Sequence, residues 1–436
     1  MFGAVFEQAG PSAVSWENTG GSMSANAILA AFAIFLGVDY LWGLFLTLLN
    51  YRSARANADR VPAGFEGTVS LEEHRKASAY SLAKMRLGFA QGPVILAVTV
   101  LVVFSGLLGA LNSFALGLPL WNYLDGAIFV ALFSLVFSVF DLPFSLYSTF
   151  SLERRFGFNT TTVKTWLLDL VKSLLISAII GLPLLLLLFA FMDRAGAFWW
   201  LWAAVAFAVI DVAISIVYPL FIAPLFNKFS PIPEGELKSK IEGLCDQLKF
   251  KLGGIYVMDG SKRSRHSNAY FTGFGKWKRV VLFDTLINSM TEDEILAVLA
   301  HEIGHEKKRH VLKGTILAVA LSFVSFWVLA ALRGYQPLYQ AFGFSAMGDA
   351  ALLAILSVVS GPCTFFLTPI FSAWSRAHER QADRFAAKAV SAEALSSALL
   401  KLNRENASNL SPHPLYSFWY YSHPTLAERL RVIQSV

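Results

Sequence analysis

Seven long apolar runs divide this chain, with polar stretches between them: Ala27–Leu49, Val94–Leu116, Gly126–Leu146, Leu174–Met192, Phe198–Leu220, Ile316–Leu332 and Ala351–Phe371. An apolar helix of about 20 residues spans the hydrocarbon core of a bilayer, and a helix satisfies its own backbone there. Seven transmembrane helices are therefore predicted, the sixth with short margins. Asp141-Leu142-Pro143 predicts a break or kink in the third, because proline removes an intrahelical hydrogen bond.

The longest polar stretch, Asn227–Thr291, reads as a soluble insertion after the fifth run. Pro231–Leu248 has the period of an amphipathic helix, while Ile255–Met258 and Val280–Phe283 read as short strands. The polar and aromatic segment Ser264–Gly275 is expected as the loop between them. Thr291-Glu292-Asp293-Glu294 then reads as a capping box opening a further helix, with acidic residues where the helix dipole favours them. Lys307, Lys308 and Arg309 close that segment and suit the opposite end.

Composition supports the membrane assignment: of 436 residues, 55% are hydrophobic and only 15% charged. The mean hydropathy is +0.53. Residues Met1–Ser24 contain no Lys or Arg, so the first run reads as a retained span rather than a signal peptide. A net charge of +6 could suggest an anionic partner, but its distribution excludes nucleic acid in favour of cytoplasmic loops. Arg52, Arg55, Arg60, Arg75, Lys76, Lys84 and Arg86 follow the first run, Arg154, Arg155 and Lys164 follow the third, and a lysine-rich segment follows the fifth. The N-terminus is thus expected outside and the C-terminus inside. Cys245 and Cys363 fit neither a disulfide framework nor a thiolate metal site. Asp39, Asp141 and Asp211 lie within spans, where a carboxylate is costly. They imply either a wet interior between the helices or helix-to-helix hydrogen bonds.

Candidate chemistry sits in Ala297–His310, which contains His301-Glu302-Ile303-Gly304-His305. Residues four apart share a helical face, so both imidazoles can meet one ion with Glu302 beside it as general base. Such a motif also arises by chance. The segment Ser375–Asp383 changes its weight, because Glu379 can be a third ligand and leave a fourth position to water. Asp383, one turn on, can hold the far N–H of a histidine ligand. Asn268 could donate to a carbonyl oxygen as charge develops, or Asn268 and Gly273 could simply make turns. His423, before Pro424, is by itself a weak candidate for the same task. His310 and His378 read as solvated or supporting residues, and His413 as a loop residue.

Taken together, these motifs resemble the integral-membrane zinc CaaX prenyl endopeptidases, the group that includes the a-factor-converting and lamin-processing enzymes. The residues that carry the resemblance are His301–His305, Ser375–Asp383, His266-Ser267-Asn268-Ala269-Tyr270-Phe271, Ser422-His423-Pro424 and Glu428-Arg429. Pro224–Lys228 and Arg155-Phe156-Gly157-Phe158-Asn159 extend it. The resemblance implies a multi-pass α-helical membrane protein whose seven helices enclose a water-filled chamber, capped by a gluzincin-like protease domain of helices plus a small β element. It implies one Zn²⁺ per chain held by His301, His305 and Glu379, with Glu302, Asn268 and His423 catalytic and Arg429 near the site with Asp383. The expected activity is peptide hydrolysis by a metal-activated water, near the C-terminus of prenylated CaaX proteins or peptides. Two alternatives remain open: a membrane quality-control protease with non-prenylated substrates, and a non-catalytic zinc-binding scaffold. Expected partners are a peptide or protein substrate and membrane lipid. The active site is expected on the cytoplasmic side, of the inner membrane in a bacterium or the endoplasmic reticulum in a eukaryote. The expected parts are a membrane region 1–223, a soluble portion 224–311, a helical pair 312–374 and a C-terminal part 375–436.

Overall fold

A computed structural model describes residues 23–121, 123–272 and 278–436. Residues 1–22, Gly273 and the rest of 273–277 lie outside the described residues. In chain order the membrane helices open with α1 (Ala25–Ala56), α2 (Leu71–Phe104), a short α3 (Leu107–Leu116) and α4 (Leu124–Tyr147). Then come α5 (Val163–Ile176), which passes through a π turn into α6 (Leu182–Arg194), then α7 (Trp199–Val217) and α8 (Ala223–Phe226). The soluble part contributes β1 (Phe229–Pro231), α9 (Glu236–Gln247), β2 (Gly254–Met258), β3 (Ala269–Thr272), β4 (Arg279–Phe283), α10 (Asp284–Ser289) and α11 (Glu292–Lys307). It is followed by α12 (His310–Arg333), α13 (Gln336–Ala341), α14 (Asp349–Thr364), α15 (Thr368–Ala389), α16 (Ala392–Glu405), α17 (Pro414–Tyr420) and α18 (Leu426–Gln434).

Among the described residues, seven helical segments are long and apolar enough to cross a membrane. Their order in space is the order of the chain: α1 touches α2, then α4, α6, α7, α12 and α14 follow, and α14 returns to α1. A helix in a packed bundle must bury a broad stripe. Here the apolar window of the fifth segment is 0% buried, and those of the first and sixth 6%. The ring is hollow. Its far end is closed by one apolar cluster that gathers Phe32, Val102, Leu108, Phe129, Phe189, Trp199, Phe342 and Ile355. These lie at the ends of the spans opposite to those joined to the soluble part. Arg333 seals this end by pairing with Asp349 (Nε–Oδ1 2.7 Å) and donating to the Met192 carbonyl (2.6 Å).

Three sequence expectations are corrected. The second span is Leu71–Phe104 rather than Val94–Leu116, because Gly106, at φ +80°, turns the chain into the separate α3. The apolar run continues past the turn because α3 is part of the closed end, with Leu108 and Ala115 fully buried. Pro143 does not break its helix; α4 runs through it and relaxes into a π-helical turn at Ser148–Glu153. The stretch expected as a loop contains β3. The sheet order is β1-β2-β4-β3, with β2 and β4 parallel and β3 antiparallel to β4, so β3 is an edge strand.

The divisions expected at 223, 311 and 374 each fall inside or beside a helix. Above all, α14 passes through a short 3₁₀ turn, Phe365–Leu367, into α15, so one rod leads from the membrane wall to Glu379. Asp141 accepts from Gln91 across α2 and α4 at 2.6 Å, the helix-to-helix alternative. Asp211 instead lines a cavity of 610 Å³ between α7 and the sheet. Both cysteines are free.

Candidate metal centre

The centre is built on α11. Thr291 caps it, and the Glu294 side chain accepts from the Thr291 backbone N–H (2.7 Å) to complete the capping box. Glu294 is buried, and its charge is met by Lys401 Nζ (2.7 Å) and Ser397 Oγ (2.6 Å) on α16. Ile295, Leu299 and Ile303 point into the protease core, where they meet Ile241, Leu282, Ala386 and Leu395. With that face buried, the turn bearing His301 and His305 is directed at α15. Gly304 decides how near α15 can come. A Cβ there would stand 3.2 Å from the Ala382 Cα and 3.1 Å from the Phe385 ring, so any other residue would push α15 or Phe385 back by a few tenths of an ångström.

Across the contact, three donors converge. His301 Nε2 and His305 Nε2 are 3.2 Å apart, Glu379 Oε2 is 3.4 Å from the first, and Glu379 Oε1 is 3.3 Å from the second. Ligand atoms about 2.05 Å from a tetrahedral zinc are separated by about 3.3 Å, so the imidazole nitrogens and the Glu379 carboxylate, taken by one oxygen or the other, are spaced as donors to such an ion. Glu379 is buried, and its Oε2 makes no hydrogen bond even though His423 Nδ1 stands 2.8 Å away. An orphaned, buried carboxylate oxygen facing two imidazole nitrogens is what a cation would satisfy.

Each histidine is held from behind. His301 Nδ1 is 2.9 Å from Asp383 Oδ1, and Asp383, fully buried, takes a bidentate pair from Arg429 (2.6 and 2.9 Å). Burial opposes a charged ring at His301, but the Asp383 and Glu379 carboxylates beside it outweigh this and hold its pKa up at about 9. A dication in the triangle answers the same negative field. Behind His305 stands His310, Nδ1 to Nδ1 at 3.1 Å, and His310 Nε2 reaches Gln381 Oε1 at 3.3 Å. An amide oxygen only accepts, so His310 carries its proton on Nε2 and accepts from His305 Nδ1–H. That leaves His305 Nε2 with a lone pair for a ligand. His378 stacks flat on His310, centroids 3.9 Å apart. Burial pushes the Glu302 carboxyl up from its ordinary value, the direction a general base needs.

The remaining sequence candidates divide. His423, exposed, reaches the centre, and Arg376 holds its segment there by donating to the Tyr421 carbonyl at 2.7 Å. Asn268 is not part of the triangle. It stands exposed at the head of β3, its Oδ1 on the Ala269 N–H (2.8 Å) and its own carbonyl accepting from Phe283 N (3.1 Å). His413 caps α17 through Nδ1 to Leu415 N (3.2 Å). Sequence reasoning gave no function to Gln381, Arg376 or Gly304. Their one signal was position: all three lie within the motif segments.

Residues 50–228 match a family model described as CAAX prenyl protease N-terminal, five membrane helices, and residues 231–436 match peptidase family M48. A CAAX prenyl protease 1 homolog from Arabidopsis thaliana is 38% identical, over 92% of this chain and 96% of its own. CAAX prenyl protease 1 of Saccharomyces cerevisiae is 36% identical over 94% and 95%, and the Homo sapiens homolog 33% identical over 94% and 96%. The crystal structure of S. mikatae Ste24p superimposes with a TM-score of 0.85 at 35% identity, covering 95% of this chain and all of that one.

Proposed function

The chain belongs to the M48 family of CAAX prenyl proteases and is a multi-pass membrane metalloendopeptidase acting on CaaX-type substrates; from this premise we propose that its metal is a single zinc held by His301, His305 and Glu379, and that its substrates carry a prenyl group. The observation that carries the metal assignment is the convergence of His301 Nε2, His305 Nε2 and both Glu379 oxygens at 3.2 to 3.4 Å, with Glu379 Oε2 orphaned. A zinc ion there supplies Lewis acidity and lowers the pKa of a water.

Glu302, beside the two histidines, is the group that would take a proton from an attacking water and return it to the leaving amine. The substrate lies antiparallel against the free edge of β3, its backbone fixed by strand addition. Asn268, at the head of that strand, and His423, beside Glu379, donate to the carbonyl oxygen as it becomes negative. Asp383 and Arg429 orient His301, and His310 with Gln381 orients His305. The active site faces the cytoplasm, a placement supported by the basic residues after α1, α4 and α7.

His310→Ala is expected to weaken zinc retention about 10- to 100-fold, as loss of a partner behind a ligand does elsewhere. Competition with a chelator measures it, independently of turnover. Zinc affinity equal to wild type would remove His310 from this role.

The function itself is tested with detergent-purified protein and a C-terminal CaaX peptide, farnesylated and unmodified, with Glu302→Gln as blank. Cleavage of the farnesylated peptide, absent in the blank, is expected, with the unmodified peptide cut less well. Equal cleavage of both would overturn the prenyl requirement and leave the peptidase. Cleavage of neither by protein holding one zinc would turn the search to damaged membrane proteins.

A further inference from the structure

Two motifs remain without a task in this mechanism: Arg155-Phe156-Gly157-Phe158-Asn159, between the third and fourth spans, and His266-Ser267, immediately before β3. The fold brings them together. Asn159 and Ser264 form an isolated antiparallel bridge, Arg265 N donates to the Phe158 carbonyl at 3.0 Å, and Thr160 N to that of Arg263 at 3.2 Å. Arg263 then pairs with Asp169 through two nitrogens (2.8 and 2.9 Å). The Phe158 ring stacks on His266, centroids 4.3 Å apart and planes at 19°.

The His266 ring is hydrogen-bonded through Nδ1 and has a carboxylate near Nε2. Nε2 lies 3.6 Å from Glu153 Oε2, a buried oxygen with no hydrogen bond, while the other Glu153 oxygen accepts from Tyr80 Oη at 2.6 Å. Nδ1 is 3.0 Å from Asn406 Oδ1. The Asn406 amide also clasps the next residue, its oxygen on Ser267 N (3.3 Å) and its nitrogen on the Ser267 carbonyl (3.4 Å). Beneath these contacts Ala77, Tyr80, Leu152, Phe158 and Ala407 form a third apolar cluster, separate from the closed end and the protease core. Ala407 reaches it at φ +43°, a conformation costly for a residue with a Cβ. Two distant pieces of chain are thus set against the two residues that precede Asn268, and Tyr80 on α2 braces one of them.

We propose that Glu153, Phe158 and Asn406 are positioning residues for substrate binding: through His266 and Ser267 they set where β3 presents its free edge and Asn268 to the peptide. This rests on the reading that β3 binds the substrate backbone. An edge strand has hydrogen bonds on one side only, so its other side is aligned by whatever holds its ends. Here the holders are the segment after α4, which ties the strand to the wall of the chamber, and the turn after α16 that carries Asn406.

The test is Asn406→Ala, which unclasps Ser267 at a half-buried site, with Asn406→Asp keeping the accepting oxygen. In full-length protein Asn406→Ala is expected to lower kcat/KM about 10- to 100-fold, mainly through KM, as misplacement of a binding element does. Zinc content and Tm should stay near wild type, and Asn406→Asp should recover most of the loss. An unchanged KM, or a loss confined to kcat or zinc content, overturns the proposal. If Asn406→Ala does not fold, Tyr80→Phe, which removes one hydroxyl, is read by the same criteria. Glu302→Gln runs alongside: cleavage surviving in it fails the peptidase reading, whereas a silent Glu302→Gln beside an unchanged KM fails the positioning reading alone.

Discussion

Glu302→Gln should retain its zinc and lose about 10²- to 10⁴-fold in kcat, the usual worth of a positioned general base. The amide has the shape of the carboxylate and no capacity to take a proton. Glu302 is not one of the three converging donors, which are His301, His305 and Glu379, so the triangle survives the change. Burial raises the Glu302 pKa, so the wild-type side chain is a stronger base than an exposed carboxylate. Turnover of the farnesylated peptide, with zinc measured per chain on the same sample, decides the matter. Wild-type turnover in Glu302→Gln would remove it from proton transfer, and loss of zinc would make it a structural residue.

His301→Ala should lose both zinc and activity, to the level of a chelated control. Two ligands cannot close a zinc site, and the fourth position belongs to water. The fold should survive, for a reason visible in the surroundings. Asp383 is fully buried, and removing its histidine partner would strand a charge there if nothing else met it. The Arg429 pair, at 2.6 and 2.9 Å, still meets it. The prediction therefore separates metal loss from unfolding: zinc per chain falls to near zero while the detergent-solubilised protein keeps its far-UV spectrum and elution volume. Arg429→Ala in the same background would remove that support and is the contrast that shows it.

Much of this architecture was legible because two physical signals are local. A span announces itself by length and hydropathy, and the capping box of α11 by residues three apart. Thr291 and Glu294 stand as their types predict, and so do the seven apolar segments. The second span was misplaced because hydropathy cannot see a single backbone angle, and Gly106 turns the chain with one. Strand β3 was hidden for a related reason: Ala269–Thr272 lies within a polar, turn-rich stretch, and its identity comes from pairing with β4.

Of the three proposed ligands, His301 and His305 were readable from spacing, since i and i+4 share a helical face, and Glu379 from the Ser375–Asp383 segment. What lay beyond reach was everything made by contact across the chain. Gln381 gives no sign that it fixes a tautomer 71 residues away, and the glycine in the motif gives none that α15 lies against it. Asn268 and His423 rested on resemblance, and the geometry separates them: His423 is within 2.8 Å of Glu379, while Asn268 lies at the head of the strand.

The ligands are separated along the chain by α12 and α14, the last two crossings of the membrane. When His301 and His305 leave the ribosome, Glu379 has yet to be made, and it arrives on the far end of a rod whose near end is the seventh wall. A centre built of these three residues therefore cannot assemble before the last two membrane crossings have been synthesised.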